Sequence, residues 1–243
     1  MFCPRTSILG NLDERIEICR KEMDTLESYI KLIYERWFVQ YDFPDENGNP
    51  YKSSGGKMIW SDILQKEIPE QWTVDCIEAF LKRTEGSIKL PTAEYREEGP
   101  YPIIDQSEKF IVGYSDNKDA VVNYPFCIVF GDHSCTVKAV NFPFIRGADG
   151  TQIIRSNTPH IHEIQIYFWL KSIKFDGEYK RHFPWVKQLP FVCCNNLKIA
   201  DDFRIITNVV WKQILSQQQI IQKLIRIRDW LLPMLMNGQI TVE

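Results

Sequence analysis

Apolar residues recur with a helical period at both ends of the chain. Between Phe203 and Glu243 they step alternately by four and three positions, which is the 3.5-residue period of a coiled-coil seam. The positions of this seam are Ile206, Val210, Gln213, Gln217, Ile220, Leu224, Ile227 and Leu231. The same steps occur near the N-terminus at Leu12, Ile16, Cys19, Met23, Leu26, Ile30, Ile33 and Trp37. Two such seams in one chain most simply bury each other, so we predict an antiparallel helix pair.

The ends of these two helices are predicted from capping residues and proline. Asn11 or Asp13 can cap the first helix, because a short polar side chain can accept a hydrogen bond from a free backbone N–H. We expect that helix to run to about Gln40. Leu232-Pro233 should end the second helix, since proline clashes with the preceding turn.

The pattern between the helices changes to that of β-strands. Short apolar runs at 110–112 and 120–122 predict two strands. The continuous apolar run Phe126–Phe130 indicates a strand buried on both faces. A turn at 131–134 and the alternation that follows it predict a hairpin partner. Thr158-Pro159 is a typical helix start.

These patterns predict an α+β protein with one β-rich globular domain. Two long helices flank that domain and form an antiparallel coiled-coil stalk. The expected boundaries are 1–57 for the first helix and a linker, 58–202 for the globular domain, and 203–243 for the closing helix. The linker at 42–57 is dense in glycine, proline, serine and asparagine.

Charge is unevenly distributed along a chain whose net charge is −3. The stretch 11–50 holds ten acidic and five basic residues, whereas 137–187 holds eight basic and four acidic ones. A basic region on an acidic protein suits one surface that faces a polyanion, and the alternative is an ordinary solvated surface.

Cysteine and hydropathy set the expected compartment. The seven cysteines are scattered and odd in number, as expected for free thiols in a reducing cytoplasm. No apolar run approaches the length of a membrane span. The spacing of cysteines and histidines does not match a zinc site, so we expect no bound metal.

Two local clusters invite a catalytic interpretation. Positions i and i+2 do not face each other on a helix, so His160 and His162 are better read as helix surface. Asp132, His133 and Ser134 are consecutive, and adjacent residues in a tight turn cannot form a nucleophile–base–orienter array. We therefore expect no catalytic residues. The alternative class is a small-molecule enzyme that uses these turn residues.

Several stretches resemble the specificity (S) subunit of type I restriction–modification systems, and together they cover nearly the whole chain. They are Trp37–Met58, Ile68–Trp72, Tyr101–Ser107, Ile111–Tyr114, Val129–His133, Arg146–Gln152 and Arg228–Ile240. A full subunit of that family carries two target recognition domains, whereas this chain has one. The resemblance is therefore to the distal half of such a subunit.

The resemblance implies a non-catalytic DNA-recognition subunit. Its globular domain would read one half-site of double-stranded DNA, and its helices would dock methyltransferase (M) subunits and, in the larger complex, restriction (R) subunits. S-adenosylmethionine would belong to the methyltransferase, and this chain would hold no cofactor. Pairing as a homodimer or with another half subunit would supply a second recognition domain. The alternative is a truncated or silent specificity cassette with no active complex.

The candidate DNA contacts combine the basic region with loop residues inside the resemblance. They are Gln106, Ser107, Tyr114, Asp132, His133, Lys138, Arg146, Asp149, Gln152 and Arg155. For each of them the alternative is a local structural role.

Overall fold

The computed structural model describes residues 4–82, 87–148, 150–177 and 180–237, with side chains from residue 8 onward. Contacts divide the chain into two compact units. We call Met1–Arg36 with Arg204–Glu243 the helix pair, and Trp37–Phe203 the head. The described helices are α1 (Pro4–Tyr34), which continues as a π-helical turn (Glu35–Val39), α2 (Glu163–Ser172), α3 (Phe183–Val186) and α4 (Leu197–Met236).

The strands of the head form two larger sheets and two small ribbons. The strands are β1 (Met58–Ser61), β2 (Lys66–Pro69), β3 (Thr73–Cys76), β4 (Tyr101–Ile104), β5 (Gly113–Ser115), β6 (Val121–Val122), β7 (Cys127–Gly131), β8 (Val137–Val140), β9 (Phe144–Arg146), β10 (Thr151–Ile154) and β11 (Pro190–Cys193). One sheet has the order β10-β7-β8 and the other β5-β4-β9-β6. The ribbons pair β1 with β2 and β11 with β3.

The helix pair is antiparallel, as the two seams predicted. Arg228 donates to Asp13 at 3.1 Å, and Gln217 donates to Glu22 at 2.7 Å. The contact later in α1 is made by the earlier residue of α4, so the two helices run in opposite directions. Between these two contacts a buried cluster joins Ile16 and Cys19 of α1 to Ile221 of α4.

The contact face of α4 agrees only in part with the predicted seam: Ile220 and Leu224 pack against the cluster of Ile16, Cys19 and Ile221, but other predicted positions lie outside it. Gln213 is exposed and the Ile227 side chain is 46% exposed, although both were placed in the seam. The buried positions of this part of α4 are Thr207, Trp211, Ile214, Leu215 and Ile221. Apolar residues are adjacent at several points of α4, such as Ile220 and Ile221. The sequence therefore predicts the helical period but not which of two neighbouring faces is buried.

The helix ends also differ from the predictions. Helix α1 begins at Pro4 rather than at Asn11 or Asp13, because proline is tolerated in a first turn, where its missing N–H has no helical partner. Helix α4 begins at Leu197, where Asn196 Oδ1 accepts from Lys198 N at 3.0 Å. It also runs through Pro233 to Met236. A proline so near the end removes one hydrogen bond, and the buried Leu235 favours the last turn.

The two larger sheets of the head pack face to face around one core. Its members come from both sheets and are Ile104, Val122, Cys127, Val129, Val140, Phe144 and Ile153. Every residue of β7 is buried, as the continuous apolar run predicted. The hairpin of β7 and β8 is present, with Cys127 opposite Val140.

Two local predictions within the head were wrong. The run Phe110–Val112 is not a strand, and the strand begins after it, at Gly113. Helix α2 begins at Glu163 instead of at Thr158-Pro159, because His162 Nδ1 accepts from Ile164 N at 3.2 Å and caps the helix there.

The predicted linker is an ordered loop within the head. Pro44 and Pro50 form a β-bridge, and Asp42 accepts from both the backbone and the hydroxyl of Ser53. The Phe43 ring stacks between Tyr51 at 4.7 Å and Trp72 at 5.0 Å. Aromatic stacking thus orders a segment whose composition alone is typical of a linker.

Candidate functional site

Sheet topology brings several loops of the head to one edge. Strands β4 and β9 are parallel neighbours, so the segments that follow them, at Asp105 and Gly147, leave at the same end. The end of β7 lies beside the start of β10, because Gly131 pairs with Thr151. We call residues 105–109, 131–136, 147–148 with 150, and 180–183 the loop cluster.

Gln106 connects three of these loops. Its side-chain oxygen accepts from the backbone N–H of His133 at 3.2 Å. Its backbone carbonyl accepts from the hydroxyls of Ser134 and Thr136. Its amide group also lies against Gly150, where φ is +85° and a Cβ would approach that amide to 2.7 Å. Glycine is needed there both for the backbone angle and for the space.

Tyr95 fastens the loop after β9 to the loop after β4. Its hydroxyl accepts from the Ala148 backbone N–H at 2.8 Å and donates to Asp105 at 3.5 Å. Gly147 packs so closely that a Cβ would meet the Tyr95 hydroxyl at 2.3 Å. The two loops therefore hold one shared conformation.

Asp132 attaches the segment 180–183 to the cluster. Its side chain is 3% exposed. One carboxylate oxygen accepts from Phe183 N at 2.8 Å, and its carbonyl accepts from His182 N at 2.9 Å. This carboxylate caps a short helix, so Asp132 has a structural role at the site, and it places the exposed Arg181 beside the β7–β8 turn.

Lys138 is buried inside the cluster, with 6% of its surface exposed. Its ammonium donates to the carbonyls of Asp105 at 2.9 Å and Lys109 at 2.5 Å. Burial lowers the pKa of Lys138 to about 8, and the nearby Asp105 charge opposes that shift. Lys138 therefore faces protein carbonyls rather than the surface.

The Arg146 guanidinium is directed inward to the protein backbone. Its Nε donates to the Thr151 carbonyl at 2.7 Å, and a second nitrogen donates to the same oxygen. A third nitrogen lies 3.3 Å from the Ser87 hydroxyl. Arg146 thus braces the turn between β9 and β10.

The remaining candidates are dispersed over the head. Ser107 and His133 are half-buried members of the loop cluster. Gln152 lies on β10 opposite Phe130, and Arg155 stacks on Tyr124 with 4.1 Å to the ring centroid. Tyr114 lies on the edge strand β5, where its backbone pairs with Arg96. Asp149 lies outside the described residues.

Sequence reasoning missed Ser134, Thr136, Tyr95 and Arg181. Ser134 and Thr136 flank the turn that was recognised, but the carbonyl they bind is about thirty residues away. Tyr95 is 53 residues from Ala148, and no local pattern signals that contact. Arg181 was counted in the basic region, but only the fold shows its place beside the turn.

The described residues offer little catalytic chemistry. Over 4–82, 87–148, 150–177 and 180–237, we find no group of three or more histidine, cysteine or acidic side chains able to hold a metal. Burial raises the pKa of the Cys127 thiol to about 12 and that of Cys193 to about 11, so neither is a ready nucleophile. None of the helices in the described part of the chain has the length and apolarity to cross a membrane.

The chain thus combines an antiparallel helix pair with a two-sheet head whose connected loops share one edge. In an alignment 261 positions long, the chain is 25% identical to the type I restriction enzyme MjaIX specificity subunit of Methanocaldococcus jannaschii, and the alignment covers 98% of this chain and 58% of that protein. No protein-family model matches the chain.

Solved structures agree with this similarity at the level of the fold. A crystal structure of a type I restriction-modification S subunit from M. genitalium matches with a TM-score of 0.60 and 16% identity, over 96% of this chain and 59% of that one. An HsdS subunit from Thermoanaerobacter tengcongensis matches with a TM-score of 0.41 and 10% identity, over 98% and 57%, which is too weak to add to the argument. The chain spans a little over half the length of these relatives. The resemblance to type I specificity subunits is confirmed, as is the α+β architecture with its two long helices.

Proposed function

We propose that this chain is a sequence-specific DNA-recognition subunit, of half-subunit type, of a type I restriction–modification system. The observation that carries the proposal is the similarity to a specificity subunit along 98% of the chain. The loop cluster supports it, because connected loops at one edge of a sheet can present a fixed set of polar side chains to a DNA groove.

The proposed DNA surface is the outer part of the loop cluster. It includes the exposed Ser134 and Arg181 and the half-buried Gln106, Ser107 and His133. Asp132 and Lys138 are left out of direct contact because they are buried, and Arg146 because its guanidinium is directed inward to the Thr151 carbonyl. Affinity should be weak for the isolated chain and strongly dependent on salt, because phosphate contacts dominate non-specific binding.

The helix pair is the proposed assembly surface. Several large apolar side chains of α4 are exposed, among them Ile227, Trp230, Leu232 and Met236. Exposed apolar groups of this kind mark contact sites for other chains. We propose that they dock methyltransferase subunits, and in the larger complex restriction subunits. A second recognition chain, either another copy or a different half subunit, would pair through the same region. S-adenosylmethionine and the chemistry would belong to the methyltransferase.

The decisive experiment is co-expression with the methyltransferase encoded nearest to this chain. We expect the two proteins to co-purify and to methylate one bipartite DNA sequence in a host genome. Omitting this chain should abolish methylation at those sites. If the second recognition chain is another copy of this one, the complex holds two copies and the halves of the DNA site are inverted copies of each other. Failure to co-purify, or methylation that is unchanged without this chain, would refute the proposal.

A further inference from the structure

Lys138 is a charged residue at a position of β8 that faces the core, where an apolar residue would be expected. Lys138 and Val140 share one face of β8, and Val140 belongs to the core between the two sheets. An apolar residue would fit the chemistry of that core. The lysine instead extends along the core and ends at two backbone carbonyls, those of Asp105 and Lys109.

These two carbonyls are the two ends of one loop. The loop runs from Asp105 to Lys109, directly after β4, and contains the half-buried Gln106 and Ser107. Its second residue is held by the Ser134 and Thr136 hydroxyls, which donate to the Gln106 carbonyl. Lys138 therefore fixes the two ends of the loop, and the β7–β8 turn fixes Gln106 within it.

Burying the charged amine of Lys138 costs desolvation energy, which opposes the gain from its hydrogen bonds. Burial disfavours the charged form and lowers the pKa of this lysine to about 8. A buried ammonium is tolerated when carbonyl oxygens satisfy its donors, and here those oxygens belong to the loop itself. The side chain thus ties the conformation of the loop to strand β8, which carries Lys138.

We propose that Lys138 is a positioning residue that holds the Asp105–Lys109 loop in one conformation and so sets the DNA sequence selected by the loop cluster, without touching DNA. This inference rests on the proposed function for its DNA part. Its structural part, the fixation of the loop by Lys138, stands independently.

The first test is Lys138→Met, which keeps an unbranched side chain but removes the donors, with the exposed Lys118→Met on the same head as the matched control. Hydrogen exchange in the purified chain should become at least ten times faster for the amides of 105–109 in Lys138→Met. Strand amides of β7 should keep their protection. Unchanged exchange in the loop would overturn the proposal at its structural step.

The second test measures selectivity in the complex with the methyltransferase. The probes are a duplex carrying the mapped methylation site and a random-sequence duplex of equal length. Lys138→Met should lower the ratio of the two affinities at least tenfold, while binding to the random duplex changes less than twofold. The slope of log affinity against log salt should stay the same, because no phosphate contact is lost. A direct phosphate contact would reduce that slope by about 0.9, and such a result would overturn the proposal.

Two further variants guard against misfolding of Lys138→Met. Lys138→Arg keeps donors at the end of the side chain and should retain part of the selectivity. Thr136→Val removes one hydroxyl from the Gln106 carbonyl and should loosen the same loop in the same direction, to a smaller extent. Normal selectivity in Thr136→Val together with fast loop exchange would show that the loop does not select the sequence. If the unaltered complex shows no selective binding, the proposed function fails, and hydrogen exchange still decides whether Lys138 fixes the loop.

Discussion

The helix pair and the head bury their apolar residues in different ways. In the helix pair, a narrow cluster around Ile16, Cys19 and Ile221 is buried, while Val209 and Trp230 remain 59% and 58% exposed. In the head, all of β7 is buried between a second sheet and the segments on its other face. The head therefore encloses the strands of its two larger sheets in a core, although side chains such as Trp60 and Ile63 are exposed elsewhere in it. In the helix pair the exposed apolar side chains lie on the two helices themselves.

The largest expected effect is the loss of stability when a buried side chain of the head is shortened. Phe130 of β7 is fully buried and contacts Phe175 and Phe183. Phe130→Ala should lower the free energy of unfolding by about 3–5 kcal/mol, since it removes transfer energy and leaves a cavity. Urea denaturation measures this loss.

The matched control is the exposed Trp230→Ala in the helix pair. It should cost less than about 1 kcal/mol in the isolated chain, yet it should weaken co-purification with the methyltransferase. Similar losses of stability for Phe130→Ala and Trp230→Ala would remove the distinction between the two units.

The next effect concerns which face of α4 forms the seam. Ile221 is buried and Ile227 is largely exposed, although the periodicity placed Ile227 in the seam. Ile221→Ala should destabilise the chain by about 2–3 kcal/mol and Ile227→Ala by less than about 1 kcal/mol. Thermal unfolding of the two variants measures the difference in stability. A larger loss of stability for Ile227→Ala would show that Ile227 lies in the seam, as the periodicity predicted.

The sequence of the helix pair predicts the two helices but not the buried face of α4. The alternation of four and three steps predicted two helices and their pairing, because a heptad period is a local property. It could not fix the seam of α4, since Ile220 stands beside Ile221 and Leu224 beside Ile225, so two neighbouring stripes are both apolar. In the structure Trp211, Ile214 and Ile221 are buried from one stripe, while Ile220 and Leu224 of the other pack against the cluster that contains Ile221.

The candidate site was less predictable for a topological reason. The β7–β8 hairpin was readable from its apolar run and turn. The parallel pairing of β4 with β9 joins segments about forty residues apart, and it is this pairing that brings Asp105 beside Gly147. Lys138 and Arg146 were chosen for their charge, but long-range carbonyl partners determine where those charges point.

A pH experiment compares the buried charge of the head with solvent-exposed charges. The folded pKa of Lys138 is about 8, below the ordinary value of 10.5. Between these values the unfolded chain binds more protons than the folded one, so this group makes the protein more stable as pH rises from about 8 to 10.5. The cost of its charge is fully present below pH 8.

Relative to Lys138→Met, the unaltered chain should therefore gain about 2–3 kcal/mol of stability over that pH range. Urea titrations of both proteins at several pH values measure the gain. Lys118→Met, which removes an exposed lysine, should show the same pH dependence as the unaltered chain. A flat difference between Lys138→Met and the unaltered chain would mean that the Lys138 amine is hydrated in the folded protein.

The smallest expected effect is the one that tests where DNA binds. Arg181 is exposed beside the β7–β8 turn, whereas Lys21 is exposed on the acidic helix α1, 4.0 Å from Glu17. Removing one phosphate contact should weaken binding to any duplex only a few-fold and should reduce the salt slope by about 0.9. Arg181→Ala should do both, and Lys21→Ala should do neither.

Arg146→Ala is a poorer probe, because its guanidinium braces the Thr151 carbonyl and its loss would disturb the turn itself. Fluorescence anisotropy with a random duplex at several salt concentrations measures affinity and slope together. Equal effects of Arg181→Ala and Lys21→Ala would show that the loop cluster is not the DNA surface, and a larger effect of Lys21→Ala would place that surface on the helix pair.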